Sequence, residues 1–372
     1  MEGVTVADWQ AYINITGPFT GSSGGSASSM FYYDEPAGGW VAYPASGGNN
    51  TAPIQKGVGY STYLYNGTNP ITIEVAGNPY QGDHSFILDP GTGGGASDGW
   101  NLLGNPYASP ILWNTAGWNR SGIGNTASVR DNPSGQFVYW DAVSGVGSLP
   151  GGRIAPGQAF WVQTLNSSPS LTIHESAKAD AQTALYRDGN QPSANFFTAV
   201  LSNASFEDPA YIILSPDGTD DYDKLVDAVK RPNTLFNLST LAADETPLAI
   251  NKTSDSFCTK EVRLNIQNVT AGTYTLSFQD LDQLKGIQSM IFRDNYTNAS
   301  FDIKATNSYQ FQVTTDAATF GSNRFAITLT RENIDTTPQL SASDLCGGSN
   351  LTVSLDTHKA AYNTTSSIAP AK

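Results

Sequence analysis

The chain has 372 residues, enough for two or three domains, and its 36 glycines and 20 prolines are typical of a β-rich protein with many turns. It carries 33 acidic and 19 basic residues, so its net charge of -14 repels nucleic-acid phosphates and anionic membranes. No apolar run approaches the length of a membrane span. We therefore expect no nucleic-acid partner and no membrane insertion.

Short alternating stretches, separated by Gly, Asn, Pro and Ser, predict strands along most of the chain. In the first series they are AYINIT (11–16), GYSTYLY (59–65), ITIEVAG (71–77), HSFILD (84–89), QFVYWDA (136–142), QAFWVQT (158–164) and SLTIHE (170–175). In the second series they are FFTAVLSNA (196–204), AYIILSP (210–216), PLAINK (247–252), EVRLNIQ (261–267), GTYTLSFQDL (272–281), SMIFRDN (289–295), YQFQVTT (309–315) and RFAITLTR (324–331).

These two series predict an all-β fold of two consecutive antiparallel, jelly-roll-like β-sandwich domains with a short, truncated β tail. The first sandwich covers residues 1–180 and the second covers 195–332. The polar segment 181–194 is predicted to connect them. Residues 333–372 are predicted to be a linker and the start of a further, incomplete β-domain.

An aromatic group near the N-terminus is the candidate ligand-binding site, and it consists of Trp40, Tyr43, Tyr60, Tyr63 and Tyr65. In the predicted strand, Tyr63 and Tyr65 point to one face, while Tyr60 points to a loop edge or to the opposite face. The five rings could form a platform on which sugars stack. Packing between sheets is the alternative, because Tyr and Trp favour strands and bury large areas. Their burial separates the two interpretations.

The uncharged stretch GWNLLGNPYASPILWN (99–114) is predicted to be a structural corner. Trp100, Leu102 and Leu103 can point inward from a strand, and Gly104-Asn105-Pro106 is typical of a tight turn. The absence of charge favours burial over catalysis. We therefore expect Trp100 to be largely buried.

The segment DYDKLVDAVKR (221–231) is the best candidate for a short helix, and Asp220 or Asp221 is its candidate N-cap. It follows an acidic loop in which Asp217, Asp220 and Asp223 are candidate ligands of a Ca²⁺ ion. The spacing does not match an EF-hand. A solvated, capped helix is the favoured interpretation, and the Ca²⁺ site remains the alternative. No cofactor is required.

No catalytic constellation stands out, so we predict a non-enzymatic protein without catalytic residues. The string GSSGG (21–25) matches a hydrolase motif only in letters, because it lies in a Gly/Ser run rather than between a strand and a helix. The three histidines have no metal-binding spacing, and neither do Cys258 and Cys346.

Several stretches together resemble a module of large cell-surface and secreted proteins of Bacteroidota, of the kind exported by the type IX secretion system, some of them gliding-associated adhesins. The stretches that carry the resemblance are GWNLLGNPYASPILWN (99–114), QFVYWDAVSG (136–145), IAPGQAFWVQT (154–164), LTIHESAKA (171–179), TDDYDKLVDAVK (219–230), PLAINK (247–252), GTYTLSFQDLDQL (272–284), IFRDN (291–295) and RFAITL (324–329). The resemblance implies a β-sandwich module at the cell surface or outside the cell, and it implies no reaction.

Two functions follow as expectations. The first is a non-catalytic structural or adhesive module of a large surface protein, whose partners are neighbouring modules of the same longer chain. The second is a carbohydrate-binding accessory module of a secreted polysaccharide hydrolase, whose partners are surface glycans or polysaccharides. The N-terminus lacks the features of a signal peptide, and the C-terminus resembles linker, so we expect the chain to be a piece of a longer one.

Overall fold

The computed structural model describes residues 3–64, 72–74, 77–91, 95–179, 194–332, 339–341 and 352–354. We call residues 3–179 the first half and residues 194–332 the second half. The predicted connector therefore lies, apart from its last residue, outside the described residues, and so does most of the predicted tail. The described part is all-β, which confirms the predicted fold class.

Among its described residues, the first half has one helix of a single turn, twelve strands and two 3₁₀ turns. They are α1 Val6–Gln10, β1 Met30–Asp34, β2 Gly39–Ala42, β3 Tyr60–Thr62, β4 His84–Ser85, β5 Trp100–Gly104, β6 Ile111–Leu112, β7 Trp118–Ser121, β8 Thr126–Asp131, β9 Gln136–Asp141, a 3₁₀ turn Pro150–Gly152, β10 Arg153–Ile154, β11 Ala159–Gln163, β12 Ser170–Ile173 and a 3₁₀ turn Glu175–Ala177.

The second half is built from eleven strands and two 3₁₀ turns. They are β13 Asn195–Ser202, β14 Glu207–Ser215, β15 Ala228–Val229, β16 Asn237–Leu241, β17 Pro247–Ser254, β18 Thr259–Gln267, β19 Gly272–Gln279, a 3₁₀ turn Leu281–Gln283, β20 Ile287–Asp294, β21 Ala299–Asp302, β22 Ser308–Val313, a 3₁₀ turn Ala317–Thr319 and β23 Gly321–Arg331. Beyond it, β24 Gln339–Ser341 pairs antiparallel with β25 Thr352–Ser354.

The first half is layered. A four-stranded sheet in the order β5-β11-β8-β9, here called the central sheet, packs on a three-stranded sheet in the order β4-β12-β7. Their shared core includes Trp113, Phe160 and Leu171, each at most 1% exposed. In front of them, α1 and the three-stranded sheet β2-β1-β3 enclose a separate small core around Ile15 and Met30. The first predicted sandwich is therefore present, with an additional N-terminal layer.

The second half is one sheet that curls into a sandwich. Its strand order is β21-β20-β23-β18-β16-β17-β14-β13-β19-β22, with β15 paired to β17. The ring centroids of Phe278 on β19 and Phe292 on β20 are 5.6 Å apart, although the two strands are far apart in this order. The two ends of the sheet therefore face each other across a common core. All pairs are antiparallel except β14 with β17, which is parallel.

Two of the local predictions that fall on fully described segments are wrong, and the strand predicted at 71–77 lies partly outside the described residues. The segment 221–231 contains no helix: it forms a turn followed by the short strand β15. The stretch 11–16 contains no strand, although Ile13 and Ile15 are buried as an alternating pattern requires. Within the described residues, no helix is long and apolar enough to cross a bilayer.

Candidate functional site

The predicted aromatic platform is divided between two faces of the sheet β2-β1-β3. Trp40 pairs across the strands with Tyr33, while Tyr60 pairs with Tyr32, which precedes Tyr33 in β1. Since successive residues of a strand point to opposite faces, Trp40 and Tyr60 lie on opposite sides of the sheet. Tyr43 lies on the side of Tyr60, with ring centroids 5.2 Å apart.

The residues of the predicted platform also differ in exposure. Tyr43 and Tyr60 are partly buried against the small N-terminal core, which agrees with packing rather than sugar stacking. Trp40 is 50% exposed and Tyr63 is 70% exposed. Tyr65 lies outside the described residues. The structure therefore does not bring the described members of the predicted set together on one surface.

Trp40 instead belongs to an aromatic corner formed with Tyr33 and Trp161. The ring centroids of Trp40 and Trp161 are 5.7 Å apart, and those of Tyr33 and Trp161 are 4.8 Å apart, both edge to face. Such pairs stabilise by about 0.5–1.5 kcal/mol beyond the area they bury. The corner joins the N-terminal layer to the central sheet and leaves half of Trp40 in solvent.

The three acidic side chains proposed as Ca²⁺ ligands have separate partners. The ammonium group of Lys252 lies 2.7 Å from Asp217, and its hydrogen bond lowers the pKa of Asp217 to about 2. Asp220 accepts from Lys260 and from Thr253. Burial raises the pKa of Asp220, but these bonds outweigh it and the net shift is downward.

Asp223 accepts a hydrogen bond from the backbone N–H of Leu225 and thereby stabilises a turn. Among the described residues, no group of three or more His, Cys, Asp or Glu side chains is placed to hold a metal ion. A Ca²⁺ ion bound by Asp217 and Asp220 would have to displace two lysines. The predicted N-cap role of Asp220 or Asp221 is wrong, because no helix follows either residue.

The stretch 99–114 forms a corner, as its residues suggest. Beyond β5, the amide of Asn105 donates to the carbonyls of Ser109 and Ala155, at 2.9 and 3.1 Å. Trp113 is fully buried and donates from Nε1 to the carbonyl of Asn125. The expectation for Trp100 is met only in part: it is partly buried, and it faces the second half rather than the core of the first sandwich.

A further arrangement of aromatic and charged side chains lies between the two halves. There the outer face of the central sheet, with Phe137, Tyr139 and Trp161, packs on Phe196 and Ile250 of the second half. We call this contact the interface. The central sheet is therefore covered on both faces, by the sheet β4-β12-β7 on one side and by the second half on the other.

Arg231 of the second half lies in the aromatic part of the interface. Its guanidinium carbon is 3.8 Å from the ring centroid of Trp161, 4.6 Å from that of Trp100 and 4.9 Å from that of Phe137. Its backbone N–H donates to the hydroxyl of Tyr139 at 2.7 Å. Burial lowers the pKa of Arg231 to about 10, so the side chain remains charged at neutral pH and stabilises the interface by cation–π contacts.

Polar contacts surround this aromatic centre. The ammonium group of Lys224 lies 2.8 Å from the carboxylate of Asp98, and Tyr222 donates to Gln163 at 2.7 Å. The backbone N–H of Phe137 donates to the side chain of Asn233 at 2.9 Å. Hydrogen bonds of this kind fix the orientation of the two halves, because each requires its own distance and direction.

The interface also encloses a carboxylate. Asp227 is 4% exposed and accepts the backbone N–H groups of Asp223 and Lys252, at 2.9 and 2.7 Å. Burial raises the pKa of Asp227 to about 7, and the nearby charges of Asp223 and Asp141 add to the shift. Asp141 belongs to the first half and is 2% exposed. Two buried carboxyl groups therefore approach each other from opposite halves.

The sequence contains one signal of the interface that the prediction of a sandwich missed. Strand β11, Ala159–Gln163, carries Ala, Phe, Trp and Val in succession instead of alternating apolar with polar residues. A continuous apolar run of this length is typical of a strand that is buried on both faces. Phe160 indeed faces the inner core, and Trp161 faces the interface.

Comparison with known proteins gave one match. A family model described as a domain of unknown function (DUF8693) matches residues 118–329, which is more than half of the chain. The matched segment begins with β7 in the first half and ends in β23, so it contains residues from both sides of the interface. No curated protein and no solved structure matched.

Proposed function

We propose that this chain, which belongs to the family described as a domain of unknown function (DUF8693), is a non-catalytic structural and adhesive module of a large secreted or cell-surface bacterial protein. The observation that carries the proposal is the interface. A module that transmits force or holds an adhesive surface in place needs parts that do not move independently. The aromatic centre around Arg231 and the hydrogen bonds around it supply such a contact.

The family match and the sequence resemblance give further support. The matched residues 118–329 run through the interface without a break, which suits a unit made of both halves. Eight of the nine stretches that resemble surface proteins of Bacteroidota lie in the same region, and the ninth, 99–114, lies just before it. The net charge of -14 keeps such a module dissolved and separate from anionic membranes.

The location is tested on intact cells of the source bacterium. An antibody raised against the purified chain is expected to label unbroken cells or to detect the protein in the medium. Labelling only after lysis would contradict the proposed location. An antibody against a cytoplasmic protein of the same cells is the control for intactness.

The rigid interface is tested by an Arg231→Ala variant. It removes the guanidinium group from Trp161, and we expect a loss of about 2 kcal/mol in the free energy of unfolding, since the contact is desolvated. The wild type is expected to unfold in one transition, which urea denaturation followed by tryptophan fluorescence measures.

Arg293→Ala is the matched control for this variant. Arg293 pairs with Glu261, and both side chains are exposed, so its loss should change the free energy of unfolding by less than about 0.5 kcal/mol. Equal effects of the two variants, or two separate transitions in the wild type, would contradict a rigid interface.

One observation favours the second candidate function, a carbohydrate-binding accessory module of a secreted polysaccharide hydrolase. Trp40 is 50% exposed, and Tyr33 and Trp161 hold it from behind. An indole fixed in this way offers an apolar surface to a sugar ring. On a glycan array, this alternative predicts that Trp40→Ala loses binding that the wild type has, while Tyr63→Ala, which removes a ring outside the corner, keeps it.

A further inference from the structure

The second half carries an open cleft of about 530 Å³. As far as the described residues give its lining, the cleft belongs to the second half alone. The side chains used below are Asn295, Tyr296, Ala318, Phe320, Ser322 and Asn323. A volume of this size is in the range of sites that bind small molecules. None of these residues belongs to the aromatic corner or to the interface.

Two separate segments form the walls of the cleft, and a buried ion pair connects them. One wall is the turn that joins β20 to β21, and the other is the 3₁₀ turn Ala317–Thr319 with the start of β23. Beneath them, Arg324 donates two hydrogen bonds to Asp294, at 2.9 and 3.1 Å. Arg324 is 3% exposed and Asp294 is fully buried.

The same pair holds both walls by backbone contacts. Asp294 accepts the N–H of Tyr296 at 2.9 Å, which fixes the first wall. Arg324 donates to the carbonyl of Thr319 in the second wall and to that of Gln312 at 3.0 Å. The cleft is therefore formed before any ligand arrives, and binding does not have to order its walls.

The chemistry of the cleft fits a neutral ligand with many hydroxyl groups. The charge of Arg324 is compensated by Asp294, so the described lining offers a ligand no net charge. Tyr296 is 48% exposed and lies over the guanidinium group, whose carbon is 5.1 Å from its ring centroid. Asn295 and Asn323 are exposed amides in the same lining, beside the hydroxyl of Ser322.

We propose that this cleft binds a neutral saccharide, with one sugar ring stacked on Tyr296 and with sugar hydroxyls bonded to Asn295, Ser322 and Asn323. A sugar ring has an apolar face and polar edges, and the cleft has the same two kinds of surface. A phosphorylated or strongly charged ligand would need an opposite charge in the lining, but Arg324 is already paired with Asp294. A peptide that added a strand would need an unpaired sheet edge rather than amide and hydroxyl side chains.

The assignment rests on the adhesive part of the proposed function for its biological meaning. Binding is nevertheless measured on the purified chain, whereas the proposed location is measured on cells. A chain that binds no saccharide would overturn the cleft assignment and leave the surface location standing. A chain found inside the cell would contradict the proposed function and leave saccharide binding measurable.

The test is titration of the full chain with cellohexaose, xylohexaose, mannohexaose and chitohexaose. Calorimetry and tyrosine fluorescence measure the binding. A Tyr296→Phe variant is the reference for the fluorescence, because it lacks the tyrosine of the cleft. We expect at least one probe to bind. Tyr296→Ala should weaken this binding by roughly tenfold or more, as the loss of a central aromatic contact does. Ala318→Trp, which fills the cleft without removing a ring, should abolish it, and Tyr296→Phe should retain it.

Leu225→Ala is the matched control, because it removes a similarly exposed apolar side chain of the same half that does not line the cleft. It should leave the affinity unchanged, and thermal unfolding should give Tyr296→Ala a melting temperature close to that of the wild type. The assignment is overturned if no hexasaccharide binds, if Tyr296→Ala and Ala318→Trp bind as the wild type does, or if only Leu225→Ala loses binding. Binding of a random decapeptide library in place of the sugars would overturn it as well.

Discussion

An Arg324→Met variant is expected to lose about 3–5 kcal/mol in the free energy of unfolding, because it leaves the fully buried carboxylate of Asp294 without its cationic partner. Burial by itself raises the pKa of Asp294, but hydrogen bonds from Arg324 and Tyr309 outweigh it and keep the pKa below its ordinary value. The carboxylate therefore stays charged at neutral pH, and it would have to be buried without compensation. Urea denaturation at pH 7 measures the loss.

Arg263→Met is the matched control for this variant. Arg263 pairs with Glu245 at the surface, so the same substitution should change the free energy of unfolding by no more than about 1 kcal/mol. The double variant Asp294→Asn/Arg324→Met should lose less than the two single variants together, since no unpaired charge remains. The described role of the buried pair would be contradicted if the losses of the two single variants added up to that of the double variant. It would also be contradicted if Arg324→Met lost no more free energy of unfolding than Arg263→Met.

The stability of the protein is expected to fall between about pH 4 and pH 7 through Asp227. Its pKa is raised from 3.8 to about 7 in the folded protein, so the folded protein binds more protons than the unfolded chain between these values. The free energy of unfolding must then decrease as the pH rises through this window. The full effect is up to roughly 4 kcal/mol, and it is complete once the pH exceeds the folded pKa.

The measurement compares the free energy of unfolding of the wild type with that of Asp227→Asn from pH 4 to pH 8. The difference between them should shift in favour of the variant as the pH rises, because asparagine has no proton to lose. Asp221→Asn, on the same segment but exposed, should give a curve parallel to that of the wild type. Parallel curves for Asp227→Asn would contradict the raised pKa.

Alternation along the strands allowed the fold to be predicted for most of the chain. β9, β11, β13 and β19 lie where short stretches separated by Gly, Asn, Pro and Ser had predicted strands. The helix predicted at 221–231 is absent because its residues bond to the backbone of a distant strand as well as to their own turn. The side chain of Asp227 accepts the backbone N–H of Asp223 and of Lys252, and such bonds compete with a helical turn. Pairing of Val229 with β17 then fixes an extended strand.

The candidate site was less predictable, because it depends on strand register and on contacts between distant segments. Trp40 and Tyr60 are separated by the register of β1 with its two neighbours, which no local pattern reveals. Arg231 and Trp161 are 70 positions apart in the sequence, and nothing near either residue indicates the other. Only the continuous apolar run of β11 indicated that a second surface covers the central sheet.

The covering of the central sheet on both faces has a consequence for any shortened form of the protein. The family segment begins at residue 118, whereas β4 and β5 precede it and pair with β12 and β11. A fragment cut there would expose unpaired backbone groups along the apolar strand β11 and at the end of β12. Unpaired sheet edges of this kind form hydrogen bonds with strands of other molecules, so the fragment would tend to self-associate. The smallest soluble unit must therefore begin before β4 and include strands that the family segment omits.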